Sequence, residues 1–181
     1  MDPPVFALLG RRFVAQGRFI TLERAYYLAE RGRWTAREVV RHPGSAAVVP
    51  WDGRRVHLLR QHRAAVGGTL LELPAGKLDV PGETPEQAAR RECAEELGLR
   101  PGRLTLLHVG YTSPGFTDEL TWVYLGEELM PAPAAPQGPE EAAAEVIGLS
   151  LDEAAAALED GSVRDAKTIL GLCSLLRRLG R

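Results

Sequence analysis

Residues 76–99 read GKLDVPGETPEQAARRECAEELGL, and this stretch decides the fold. Thr84 with Gln87 three residues later makes a capping box, and Pro85 falls at the first helical position, where its fixed φ and missing N–H are tolerated. Gly98, after Leu97, supplies the left-handed cap at the other end. The spacing predicts a helix from Thr84 to Gly98, with Ala89, Cys93 and Leu97 as its buried stripe. On another face Glu92, Glu95 and Glu96 stand at i, i+3 and i+4, so their carboxylates share one side. Taken alone, such a cluster reads as a solvated acidic surface. Two costs argue against that reading. Like charges at this spacing repel by ~0.2–0.5 kcal/mol per pair. Glu95 and Glu96 also occupy the last turn, where the helix dipole disfavours anions by ~0.3–1 kcal/mol. Arg90 and Arg91 offset part of the repulsion. A well-capped helix that keeps this cluster is expected to hold a cation, and hard oxygen ligands completed by phosphate oxygens suit Mg²⁺.

Upstream, Arg11–Ala15, Phe19–Leu28 and Trp34–Val40 are rich in aromatic and β-branched residues and read as strands, with Glu30-Arg31-Gly32 turning the last pair into a hairpin. His42-Pro43-Gly44 marks a boundary. Ala46–Trp51 and Val56–Arg60 read as the arms of a hairpin on Asp52-Gly53, with Pro50 marking a free or bulged side. Leu70–Leu73 is a further short strand. Downstream come strands at Leu104–Tyr111, Thr121–Leu125 and Glu145–Leu149, and a Pro/Ala loop over Pro131–Pro139. Ser150 and Glu153 cap a helix to about Leu158. The last helix, from about Arg164 to Leu179, sets Ile169, Leu172, Cys173 and Leu176 on one face. The pattern is α+β: a small β-rich annex over residues 1–43, then a domain over 44–181 with a mixed sheet between helices.

A chain of 181 residues with a formal net charge of −2 has no basic field for nucleic acid. An anionic substrate must then be held by local arginines and metal. Cys93 and Cys173, both in apolar helical patterns, read as core residues in a reducing compartment rather than as a disulfide. Val5–Leu9 is too short for the core of a signal peptide, and no apolar run approaches the ~18 residues of a membrane span. A cytoplasmic protein without membrane or nucleic-acid partners is expected.

Gly76, Glu83 and Arg91-Glu92-Cys93-Ala94-Glu95-Glu96-Leu97-Gly98-Leu99 resemble the Nudix box, G-x5-E-x7-R-E-U-x-E-E-x-G-U with U apolar. The register holds from Glu83 onward, while the glycine stands six residues before Glu83 instead of five. The resemblance implies the Nudix fold. It further implies that Glu92, Glu95 and Glu96 bind divalent metal, with the carbonyl of Ala75 as a further ligand, and that Glu83 and Arg91 pair to brace the loop. Mg²⁺ is the expected cofactor, with Mn²⁺ or Zn²⁺ as substitutes, acting on pyrophosphate and on the attacking water.

The runs Arg60-Gln61-His62-Arg63 and Glu72-Leu73-Pro74-Ala75-Gly76 are similar to those of the ADP-ribose pyrophosphatase branch, as is Ser113-Pro114-Gly115-Phe116-Thr117-Asp118-Glu119. Alone, the arginines would be a solvated strand end and the acids a solvated turn. Beside a metal–phosphate site, Arg60 and Arg63 become candidate guanidinium clamps. On the same resemblance Glu119 is the general base, Glu95 shares in catalysis, Ser113 and Gly115 approach the substrate, and Asp118 is structural. The annex strands look like those that exchange across a two-fold homodimer and cover the adenosine, which makes Arg18, Phe19 and Glu38 candidate nucleotide contacts. Phe19 packing within the annex is the plainer alternative, and Trp34, Trp51 and Trp122 read as core or interface. The expected reaction is hydrolysis of ADP-ribose to AMP and ribose 5-phosphate. Alternatives are another nucleoside diphosphate derivative (a nucleotide sugar, or a flavin or nicotinamide dinucleotide) and a non-catalytic module that senses ADP-ribose.

Overall fold

A computed structural model describes residues 6–29 and 32–181; the Glu30-Arg31 part of the expected hairpin lies outside them. The chain divides into two compact units, Met1–Gly44 with Tyr111–Leu120, and Ser45–Gly110 with Thr121–Arg181. In the first unit β1 (Phe6–Gln16), β2 (Thr21–Ala29) and β3 (Trp34–Arg41) form an antiparallel sheet in the order β1-β2-β3. Gly17 N–H bonds the Ile20 carbonyl to close the first turn. Trp34 is 70% exposed, so it belongs to no core of this unit.

The second unit holds two sheets. In one, β4 (Ser45–Pro50) runs parallel to β9 (Leu120–Pro131) and antiparallel to β7 (Ala75–Lys77), with β8 (Leu99–Tyr111) at the far edge. In the other, β5 (Val56–Arg63) lies between β6 (Gly68–Glu72) and β10 (Glu145–Leu149), antiparallel to both. The expected β4–β5 hairpin is therefore corrected to a turn between sheets. Both edges of β4 are taken, by β9 along its whole length and by β7 over Ser45–Ala47, so β5 has nowhere to pair beyond the bridge from Trp51 to Val56. Pro50 lies past the end of β7, on the side that needs no ladder donor.

Every residue of β4 is buried, as expected of a strand covered on both faces. Ala46 and Val48 point to helix α1 (Pro85–Leu97) and pack with Ala88, Ala89, Cys93 and Tyr124. Ala47 and Val49 face the other way. They join Leu58, Leu73, Val123 and residues of α3 (Leu151–Glu159) and α4 (Ala166–Arg178) in the larger core. A mixed sheet between helices is thus present, with a second sheet added. A short helix, α2 (Pro139–Ala142), breaks the loop after β9.

Two expectations about α4 are corrected. Leu172 and Leu176 are buried as expected, together with Thr168, Gly171, Ser174 and Leu175, while Cys173 and Ile169 are exposed. Asp165 caps the helix by accepting from Thr168, and the Thr168 hydroxyl accepts the Leu73 N–H, which fixes the rotation of the helix.

Candidate active site

The caps of α1 are as expected: Thr84 and Gln87 make the reciprocal capping box, and Gly98 adopts φ 66°. This places Arg91 among acids. Its guanidinium donates twice to Glu83 at 2.9 Å, and also to Glu92 (2.6 Å) and Glu95 (3.1 Å). The bond to Glu83, reinforced by Glu92, raises the affinity of Arg91 for its proton. The fork–fork geometry ties the loop before α1 to the middle of the helix.

Glu96 reaches across to β7, where the Ala75 N–H donates to it at 3.0 Å. Burial pushes its carboxyl up to about 8, against that hydrogen bond and with help from the charges of Glu92 and Glu141. Burial likewise raises Glu92, with Arg91 opposing. Gly76 explains how Glu92 fits. A Cβ on Gly76 would stand 1.8 Å from the Glu92 Oε1, so the Glu92 carboxylate keeps this position only beside a residue without a side chain. The extra residue before Glu83 leaves this approach intact; the loop turns at Gly82, with φ 79°.

Half-buried carboxylates that resist ionisation, all with hard oxygen donors, fit a divalent cation. Among the described residues no group of three or more Asp, Glu, His or Cys side chains is gathered closely enough to hold an ion unaided.

Arg63 and Arg60 are not brought together. Three residues apart on β5, they project from opposite faces. Arg60 pairs with the exposed Glu145 at 3.0 Å. Arg63 donates from Nε and Nη2 to the two oxygens of Glu72, at 2.7 and 2.9 Å, and feels the charge of Glu96.

The remaining candidates belong to the first unit. Glu119 accepts from the Thr112 hydroxyl at 2.7 Å, with His42 Nδ1 3.9 Å away. Asp118 accepts from Arg41 and from the His42 N–H. The Ser113 carbonyl accepts from the N–H groups of Phe116 and Thr117. Glu38 and Gly115 line one groove of about 580 Å³, with Tyr27, Arg37, Tyr111 and Phe116. Arg18 and Phe19 lie at the β1–β2 turn and do not line it; Phe19 meets His42 edge-on, with centroids 5.5 Å apart.

Sequence reasoning missed three residues. Glu141, within α2, raises both Glu92 and Glu96, yet it stands in a Pro/Ala-rich segment with no periodicity to mark it. Gln137 donates to Glu95 at 2.9 Å from the same segment. Lys167 reaches Glu72 from α4.

A model of the NUDIX domain matches residues 40–171. This chain belongs to the NUDIX family. It is 40% identical to the ADP-ribose pyrophosphatase of Bacillus subtilis over 138 residues, 76% of this chain and 74% of that one. It is 33% identical to the ADP-ribose pyrophosphatase of Mycobacterium tuberculosis over 171 residues, 94% and 83% of the two chains. A solved structure described as an ADP compounds hydrolase shares the fold. It covers 100% of this chain and 99% of its own, with a TM-score of 0.86 at 23% identity. Nudix hydrolases work with a divalent metal, which agrees with the oxygen-rich, half-buried Glu92–Glu96 site.

Proposed function

We propose that this Nudix hydrolase cleaves the pyrophosphate of ADP-ribose with water, releasing AMP and ribose 5-phosphate. The observation that carries the hydrolytic reading is the half-buried pair Glu92 and Glu96, seated against Gly76 and the Ala75 N–H. The substrate follows the relatives of Bacillus subtilis and Mycobacterium tuberculosis, whose names specify ADP-ribose.

In this reading Glu92, Glu95, Glu96 and the Ala75 carbonyl hold Mg²⁺, with Mn²⁺ or Zn²⁺ as substitutes. Held there, the ion would neutralise pyrophosphate charge and lower the pKa of the attacking water. Arg91 with Glu83 keeps the glutamates in place, and Arg63 clamps a phosphate while Arg60 steers from outside. Glu119 takes the proton of the attacking water. Ser113, Gly115, Arg18, Phe19 and Glu38 contact the nucleotide.

A second candidate base is Glu141, favoured by its electrostatic coupling to Glu92 and Glu96. Loss of a general base costs ~10²–10⁴-fold in kcat. Glu119→Gln and Glu141→Gln, assayed side by side, identify the base as the one whose kcat falls on that scale with KM little changed.

The annex, residues 1–43, is proposed to exchange strands across a homodimer. Its exposed Phe6, Leu9, Phe13 and Trp34 support this, and sedimentation at twice the chain mass is the check. A cytoplasmic setting fits two free cysteines, and among the described residues no helix is long and apolar enough to cross a membrane.

The deciding experiment is a metal-dependent hydrolysis panel over ADP-ribose, nucleotide sugars and dinucleotides in ¹⁸O-labelled water, with Glu96→Gln as control. ADP-ribose is expected to be turned over best, and Glu96→Gln to lose orders of magnitude in kcat with its fold intact. Preference for a nucleotide sugar would overturn the substrate; near-normal turnover by Glu96→Gln would overturn the metal assignment.

A further inference from the structure

Behind Arg63 lies a charged cluster that the metal site does not use. Glu72 is almost wholly buried, with its side chain 2% exposed, and receives three donors: Arg63 Nε and Nη2, and Lys167 Nζ at 2.6 Å. Lys167 also donates to Asp165 at 2.9 Å. Asp165 caps α4 through the N–H and hydroxyl of Thr168, and that hydroxyl accepts the Leu73 N–H at 2.8 Å. The chain of bonds thus leaves β6 at Glu72, crosses the first turn of α4, and returns to the next residue, Leu73. Two residues further on, Ala75 donates to Glu96.

A bidentate arginine–carboxylate pair fixes two planes against each other, yet both planes can still swing together on their flexible stems. A third bond from a separate element removes that freedom. Lys167 supplies it: a compact ammonium at the rear, 15% exposed, where Arg63 is 40% exposed and open to a ligand. We propose that Lys167 is a positioning residue, which acts through Glu72 to hold the Arg63 guanidinium in the direction that receives the substrate phosphate. It makes no contact with substrate itself. The proposal rests on Arg63 being the phosphate clamp of the reading above.

The test is a double-mutant cycle on the full chain, with Lys167→Met and Arg63→Ala singly and together, and Lys167→Arg as the conservative rescue. Lys167→Met is expected to raise KM about tenfold with kcat within about threefold, and Lys167→Arg to recover most of the loss. In the Arg63→Ala background Lys167→Met should add nothing, because the group it positions is gone. A merely structural lysine would weaken both backgrounds alike. A second readout needs no substrate. The Arg63 Nε–H resonance in the ¹H–¹⁵N spectrum should be sharp in the parent protein and broadened or shifted in Lys167→Met. Should Lys167→Met fail to fold, Lys167→Gln keeps an N–H donor without the charge and takes its place. Additive KM effects, or an Arg63 Nε–H signal indifferent to Lys167, overturn the proposal. If ADP-ribose is not hydrolysed, the substrate reading falls by itself. The cycle then runs on whichever panel compound is turned over, and the Arg63 resonance decides alone if none is.

Discussion

Gly76 shows how much a single hydrogen in place of a side chain can decide. In Gly76→Ala the added Cβ would meet the Glu92 carboxylate, the far end of a flexible side chain, so Glu92 yields before the backbone does. The melting temperature is expected to stay within a few degrees, while the Mg²⁺ activation curve moves to higher concentration and kcat falls by about ten- to a hundredfold. An unmoved activation curve would show that the position of Glu92 is immaterial. At this scale the sequence was highly informative about α1. Helical periodicity is local, so Glu92, Glu95, Glu96 and their partner Arg91 were all legible, and Arg91 bonds to Glu83 as anticipated. Glu141 and Lys167 were not. Each reaches the site across a large sequence separation, and nothing near either of them marks the destination.

At the scale of elements, α4 is the instructive case. Its apolar residues taken alone favour a face with Ile169 and Cys173, yet the helix buries Thr168 and Gly171 instead. A hydroxyl and a bare Cα carry no hydrophobic signal. Thr168 is buried because it accepts the Leu73 N–H, and Gly171 because the sheet comes so close there. Gly171→Ala pits two effects against each other. Helix propensity favours alanine by ~1 kcal/mol. The new methyl, however, would lie 2.7 Å from both Leu73 Cδ1 and Val49 Cγ2. Overpacking of a tight core costs ~1–3 kcal/mol, so net destabilisation is expected, read as a lower urea midpoint. The turn at Asp52 teaches the same lesson for strands. Its side chain accepts from the Arg54 and Arg55 N–H groups, as a local turn signal should. Whether the flanking strands pair is settled elsewhere, by β7 and β9 occupying both edges of β4.

Across the whole molecule, the Glu72 cluster couples stability to pH. Burial alone would raise the Glu72 carboxyl, but the hydrogen bonds and charges of Arg63 and Lys167 outweigh it and hold it below its ordinary value of 4.5. A carboxyl depressed on folding stabilises the native state fully above its unfolded value. That contribution is lost as pH falls below 4.5 through the folded value. Urea midpoints measured from pH 7 down to about 3 should therefore fall in that window. Glu72→Gln, less stable at neutral pH because Arg63 and Lys167 both lose a carboxylate, should show a flatter decline there. By itself the sequence determined the capped acidic helix, the Nudix chemistry it carries, and most strands, because caps, periodicity and box spacing are written in neighbouring residues. Only the tertiary structure decided that β4 and β5 part into two sheets, that α4 turns its threonine and glycine inward, and that Lys167 stands behind Arg63. Those outcomes depend on which strand edges are already paired and which buried polar groups need partners, and both are properties of distant segments meeting.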